Sequence, residues 1–358
     1  MSTFYTVCEI SIAVMSVLGN GLVLYVYASN QRLHSVTNYF IVSLAIADLF
    51  VGLFGVPFAI LTSEGLPRDF IGCIIMLNFL LWLCGASTFS LIGVSLDRYV
   101  AISYPLRYNV FITPLRALVA IVVCWIMAAI VGFLPVVGWH RGRPETPACV
   151  FIEIIDMNYM LFNAIMVIYI PLVVMIVIYV FIFRAVRKQM RKIEPVTIAV
   201  TSKPATSGRN GTPAADDEAA AAAREAEAAE TARRRQKRFQ TYKKDLQAVK
   251  SVAVIVLVFM ICWLPLSISN SISALFPNVV QPPNFVPVSI VLSHANSAIN
   301  PFLYAYGKEF RMGYRRTFAK MFPCICAMNP NNSVRNTKAN ANAVSTVEGM
   351  RFSTNDTS

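Results

Sequence analysis

The chain has 358 residues, 56% of them hydrophobic and only 14% charged, with a mean hydropathy of +0.58. Soluble domains carry roughly 25% charged residues, so this balance argues against a water-soluble globular class. The net charge of +12 does not imply a nucleic-acid partner either. Of 31 Lys and Arg, only Arg68, Arg141 and Arg143 fall on one side of the predicted spans and the other 28 on the opposite side, which is the positive-inside pattern and makes that second side cytoplasmic.

A bilayer-spanning helix needs about 20 mainly apolar residues. Seven stretches qualify: 5–28, 38–62, 70–101, 115–138, 157–189, 243–275 and 284–306. The predicted fold is therefore an all-α membrane protein, a seven-transmembrane helix bundle with its N-terminus outside and its C-terminus in the cytoplasm. No Lys or Arg precedes Arg32, so the first span is expected to stay as an anchor rather than act as a cleaved signal. The predicted bundle domain covers residues 1–322, with a cytoplasmic insert at about 190–242 and a disordered tail over 323–358.

In the first span, Glu9 lies in the outer half. In the second, Asp48 is an isolated carboxylate near the bilayer centre. It is either a protonated packing residue or, with Ser87, Asn296 and Asn300 at similar depth in other spans, part of an oxygen-rich site for a small cation such as sodium. Cys73 and Cys149 are the two cysteines of the eight assigned to the oxidising side, which points to a disulfide, with two free thiols as the alternative. Asp97-Arg98-Tyr99 ends the third span at the cytoplasm. Asp245, at the start of the sixth, offers Arg98 a second carboxylate, and a cation shared between two anions on different helices makes a two-state latch.

The insert changes character midway. "EPVTIAVTSKPATSGRNGTPAA" has no apolar period and reads as disordered. "DDEAAAAAREAEAAETARRRQKRF" has strong helix-forming composition with acids first and bases last, matching the helix dipole, and is expected either to extend the sixth helix or to fold only transiently. Within that span Pro265 removes a ladder bond beside the bulky Trp263, which makes a hinge. The seventh span, "IVLSHANSAINPFLY", is unusually polar, and Pro301 frees the carbonyl of Ser297. Beyond it, "KEFRMGYRRTFAKMF" alternates basic and apolar residues and suits an amphipathic helix on the inner leaflet. Cys324 and Cys326 follow it and are either palmitoylated or plain thiols.

Toward the outside, Phe151, Asn270, His294 and Glu9 are placed to form an outward-opening pocket. Glu9 would fix the tautomer of His294, and an aromatic face plus an amide with donor and acceptor suits a flat heterocycle.

"LGNGLV", "SLAIADL", Cys73, "DRYVAI", Trp125, "CWLPL" and "NPFLY" occur in order on the seven spans. As a set they resemble the rhodopsin-like (class A) G-protein-coupled receptors over nearly all of residues 5–322. That resemblance implies Trp263 as a switch and Arg98 as the latch facing a heterotrimeric G protein. It also implies Asn300, Pro301, Tyr304 and Tyr179 as a rearranging inner layer, and Pro105-Leu106 as a G-protein contact. "CEISIAV", "PFAI", "CVFIEIIDMNYM", "CWLPLSISN" and "VLSHANSAINPF" are similar to the adenosine receptors. The implied ligand set is Phe151 and Asn270 for the adenine, Ser293 and His294 for the ribose, with Glu9 behind His294. Leu266, Trp263, Ile290 and Met160 are the implied apolar walls. Glu153 is displaced by one residue because Ile152 intervenes after Phe151. Cys84-Gly85 and Ser267 replace polar residues usual in that subfamily, which implies altered analogue preference.

The resemblance implies extracellular adenosine as ligand, cyclic AMP signalling at the plasma membrane, and arrestin and receptor kinases at the tail. Two other classes compete. One is a class A receptor for another small ligand; an amine is disfavoured because Leu80 stands where the amine subfamily carries Asp. The other is a transporter or channel, which predicts internal repeats that this chain does not show. No nucleophile–base pair or metal-ligand spacing suggests an enzyme.

Overall fold

The computed structural model describes residues 3–201, 215–305 and 308–321. Eight long helices organise them: α1 (Thr3–Ser29), α2 (Val36–Ser63), α3 (Phe70–Ser103), α4 (Pro114–Gly132), α5 (Met157–Lys188, continuing to Thr201), α6 (Ala215–Leu275), α7 (Phe285–Tyr304) and α8 (Lys308–Met321). No strand occurs among the described residues; one isolated bridge joins His140 and Ile155. By length and composition α1 to α6 are each apolar enough to cross a membrane, α6 through its segment Ala253–Leu275. The seventh falls short of that composition because it carries Ser289, Ser293, His294, Asn296, Ser297 and Asn300, and all six are buried. Polarity at that depth persists because protein, rather than lipid, surrounds it.

The bundle closes as a ring. α1 packs against α2 and α7, α7 against α6, and α6 against α5, while α3 runs through the middle in contact with α2, α4, α5 and α6. Burial matches this placement, since α3 has a long buried register whereas α4 exposes most of its surface. Expected and observed spans agree closely except at two ends, of α4 and α5. α4 stops at Gly132 instead of running to 138, because Pro135 follows and Gly138 takes a φ of 128°. α5 continues to Thr201, into the stretch expected to be disordered. The Ala/Glu/Arg-rich segment is part of one 61-residue α6, with a Glu230–Arg234 pair at helical spacing.

Two wide π turns, Val51–Gly55 in α2 and Ala164–Tyr169 in α5, each end two residues before a proline, Pro57 and Pro171. A proline lacks the N–H for its turn and crowds the carbonyl four residues earlier, and a wider turn relieves both. Gly19 on α1 allows the Pro301 kink of α7 to nest against it, since a Cβ there would lie 2.8 Å from Pro301 Cγ. Gly19→Val is therefore expected to cost about 1–3 kcal/mol through overpacking. The measurable outcome is a lower thermal midpoint for the detergent-solubilised protein; an unchanged midpoint would mean that the kink does not depend on this approach. Below the kink, Tyr314 of α8 donates to the Pro301 carbonyl at 3.2 Å. α8 turns Phe310 and Thr317 into the bundle while Met312 and Phe318 face outward, so its apolar residues serve two faces.

Candidate functional site

A cavity of about 490 Å³ opens at the outer end of the bundle. Its lid comes from the loop 139–156. The Cys73–Cys149 disulfide ties that loop to the start of α3, and Asp69 caps that helix by accepting from the Gly72 amide at 2.6 Å. Arg141 secures the rest of the loop: its amide bonds the Ile154 carbonyl at 2.9 Å and its guanidinium the Ile152 carbonyl at 3.1 Å. These anchors hold the one-turn helix Phe151–Ile154 so that Phe151 lines the cavity. Met160, Trp263, Leu266, Asn270, Ile290, Ser293 and His294 line it too. Glu153 is not among the lining residues; its carboxylate accepts from Thr146 on the exposed loop at 3.4 Å. Ile152, Cys84 and Ser267 do reach the cavity.

The polar groups of this cavity have distinct roles. His294 Nδ1 lies 3.0 and 2.9 Å from the two Glu9 oxygens, and Glu9 is fully buried. A carboxylate acceptor orients the ring with a proton on Nδ1, the tautomer in which Nε2 is an acceptor. Ser293 donates to the Ile290 carbonyl at 2.7 Å, so its lone pairs remain free to accept. No described side chain takes up the Asn270 amide, which keeps both its donor and its acceptor for the cavity. Trp263 forms the floor and packs on Phe259 with ring centroids 6.1 Å apart; its buried Nε1 has no protein partner among the described residues.

Several lining residues were not legible beforehand. Tyr5, Asn163, Ser269 and Ser273 all line the cavity. The last two are clasped by Gln281 of the loop between α6 and α7. Gln281 accepts from Ser269 Oγ at 2.5 Å and donates to the Ser269 carbonyl at 2.9 Å and to Ser273 Oγ at 2.8 Å. Alternating serines in "LSISNSIS" were the available signal.

Below the floor lies a polar layer around the fully buried Asp48. Ser87 and Ser297 donate to Oδ1 at 3.1 and 2.8 Å, and Asn300 donates to Oδ2 at 2.7 Å. Asn296 is buried with its Oδ1 unpartnered and has no bond to Asp48; Ser297, one residue on, occupies that role. Ser16 and Asn20 of α1 also belong to this layer. Ser16 donates to the Asp48 carbonyl at 2.8 Å, and Asn20 donates at 3.0 Å to the Ser297 carbonyl, the group that Pro301 releases from the helical ladder. The glycine-flanked Asn20 in "LGNGLV" and that freed carbonyl were the two halves of this contact.

At the end of the bundle opposite the cavity, Arg98 donates through Nε to Asp97 Oδ2 at 2.9 Å, and its Nη2 also bonds Thr37 Oγ1. Tyr108, in the loop after α3, donates to Asp97 Oδ1 at 2.7 Å and lies 3.1 Å from Thr37 Oγ1. Burial, then the Asp97 carboxylate, push the Tyr108 hydroxyl up to about 12, so it stays a donor at neutral pH. Asp97, Thr37 and Tyr108 thus close a hydrogen-bonded ring with Arg98, whose guanidinium itself bonds the first two, and Thr37 and Tyr108 were not anticipated. Asp245 belongs to α6, but its side chain lies outside the described residues, as do Cys324, Cys326 and the tail 323–358. Tyr99 packs against Tyr104 and Phe181. Leu106 is 98% exposed, an apolar side chain standing free at this end of the bundle. Tyr179 and Tyr304 pack into the same core cluster beneath the Asp48 layer.

Comparison with known proteins agrees with this geometry. Residues 19–304 match the model of the 7 transmembrane receptor (rhodopsin family). The human adenosine receptor A2a is 37% identical over 331 residues, covering 88% of this chain and 72% of the relative. Adenosine receptor A2b from Gallus gallus is 35% identical over 374 residues, covering 96% and 98% respectively, and the human A2b is 32% identical over 349 residues. The family is one of receptors rather than enzymes. The cavity above a polar core, the disulfide-anchored lid and the arginine ring at the inner end sit on a chain that belongs to the rhodopsin family of seven-transmembrane receptors, in its adenosine-receptor branch.

Proposed function

We propose that this protein is a plasma-membrane receptor for extracellular adenosine that signals through a heterotrimeric G protein in the cyclic AMP pathway. The observation that carries the reading is the convergence, in one outward-opening cavity, of Phe151, Asn270, Ser293 and a His294 oriented by the buried Glu9. An adenine offers a flat ring to Phe151 and an edge with donor and acceptor to the Asn270 amide. A ribose offers hydroxyls, which can donate to His294 Nε2 and the free lone pairs of Ser293. Met160, Leu266 and Ile290 exclude water from the rest of the ligand, as in most small-molecule sites. Lying outside the cavity, Glu153 leaves the purine amino group to Asn270, and Cys84 offers less polarity on the ribose side.

Activation is a population shift: ligand and G protein must both prefer the state in which α6 swings outward at the Pro265 hinge. In this reading the N-terminus is extracellular and the C-terminus cytoplasmic, as the distribution of Lys and Arg supports. Arg98, released from Asp97 and Thr37, faces the G protein beside Leu106, and arrestin and receptor kinases act on the tail. The Asp48 layer also suits an allosteric sodium ion. Asp48, Ser87, Ser297 and Asn300 supply hard oxygens, and the buried Asn300 Oδ1 lacks a protein partner. A bound sodium would neutralise the carboxylate and hold α2, α3 and α7 together.

The direct test is cyclic AMP in cells expressing the chain, with and without adenosine, basally and after forskolin. An adenosine-dependent change absent from untransfected cells is the expected result. No change in either condition, with the protein at the surface, would refute the adenosine assignment.

A further inference from the structure

Between α5 and α6, in the cytoplasmic half of the bundle, lies a groove of about 550 Å³ that opens on the outer surface. Its α5 wall consists of Ile176, Tyr179, Val180, Phe183, Arg184 and Arg187. The spacing of three, four, seven, eight and eleven residues puts all six on one helical face. On α6 the wall repeats at the same helical spacing from Ala253 to Met260. Along α5 the slot is roughly 16 Å long, eleven residues at 1.5 Å each.

Polarity is distributed unevenly along it. Beyond the Tyr179 hydroxyl, the lining is apolar until the cytoplasmic end, where Arg184 and Arg187 stand exposed. Arg187 sits over the Phe183 ring at 5.5 Å, and among the described residues neither arginine has a carboxylate partner. Two uncompensated guanidiniums at the mouth of an apolar slot complement an anionic amphiphile. At this depth the inner leaflet supplies one, because its lipids carry net negative charge.

We propose that this groove binds an anionic phospholipid of the inner leaflet, one acyl chain lying along the slot and the phosphate paired with Arg184 and Arg187. A guanidinium suits a phosphate through parallel N–H donors. A free phosphate would gain nothing from the apolar walls, and a zwitterionic lipid brings an ammonium that offsets the attraction. Tyr179 and Val256 line the groove and also pack into the core cluster that holds Tyr304. The occupant therefore touches side chains that lead directly to the inner end of α7.

The test uses the full-length protein carrying Leu257→Trp as a reporter, in vesicles of phosphatidylcholine containing either brominated phosphatidylserine or brominated phosphatidylcholine. Bromine quenches a tryptophan only at contact range. The expected result is a preference for phosphatidylserine on the order of tenfold, since each cation near an anionic leaflet contributes severalfold. Arg184→Gln with Arg187→Gln should abolish that preference, whereas Arg184→Lys with Arg187→Lys should retain part of it. High salt should weaken the preference in the parent protein, a check that needs no arginine variant. Soluble glycerophosphoserine should not compete. Equal quenching by both lipids, a preference insensitive to the double Gln change and to salt, or displacement by the soluble headgroup would each overturn the proposal.

Discussion

Asn270→Ala is expected to abolish the response to adenosine while leaving the protein at the cell surface. The Asn270 amide lines the cavity and is engaged by no other described residue, so removing it leaves the packing of α6 intact. In the bound state the same amide presents both a donor and an acceptor to an adenine edge. Its loss would strand two polar atoms of the ligand away from water, and a site built on such hydrogen bonds discriminates by factors of about 10⁴ or more. Concentration–response curves for cyclic AMP, normalised to surface expression, measure the effect. An unshifted curve would remove the purine from the site and leave only the receptor class.

Arg98→Ala is expected to have the converse signature: ligand binding within about threefold of the parent protein, and G-protein signalling lost. Arg98 lies near the C-terminal end of α3, far from the cavity, and none of Asp97, Thr37 and Tyr108, which ring it, lines the cavity. The ring is a resting arrangement, and an active arrangement is expected to break it, because the Nε and Nη2 groups that hold Asp97 and Thr37 must be given up for the guanidinium to turn toward a G protein. Tyr108→Phe should act in the opposite direction by removing one donor to Asp97. A net contribution of about 1 kcal/mol for such a bond predicts a rise in basal signalling of up to about fivefold. If Arg98→Ala abolished radioligand binding together with signalling, the arginine would be a folding element instead of a latch.

Much of this architecture was legible from single residues, and the reason is the bilayer. A polar side chain in a span is costly enough that its presence alone marks an inward-facing position. That is why Glu9, Asp48, His294 and Asn300 could be identified, and all four are buried in the bundle. What stayed hidden depended on geometry between helices. Ser297 takes the place beside Asp48 expected of Asn296, because the two differ by one residue and therefore by about 100° around α7. Thr37 and Tyr108 flank Arg98 from α2 and from a loop, and nothing in their local sequence sets them apart from ordinary interfacial residues. Glu153 illustrates the reverse error of proximity: it lies two residues from Phe151, but the one-turn helix carries it to the outer side of the lid.

The mouth of the cavity is held by unlike fastenings. The lid carrying Phe151 is joined to α3 by a covalent bond between Cys73 and Cys149, whereas the loop bearing Gln281 is held to α6 through three hydrogen bonds to Ser269 and Ser273. Redox chemistry therefore reaches only one bank of the entrance. A reducing thiol balance at this entrance would loosen the aromatic side and leave the serine side in place. The serine side, in turn, can open and reclose by thermal exchange with water, so traffic of ligand across that bank needs no bond to be broken.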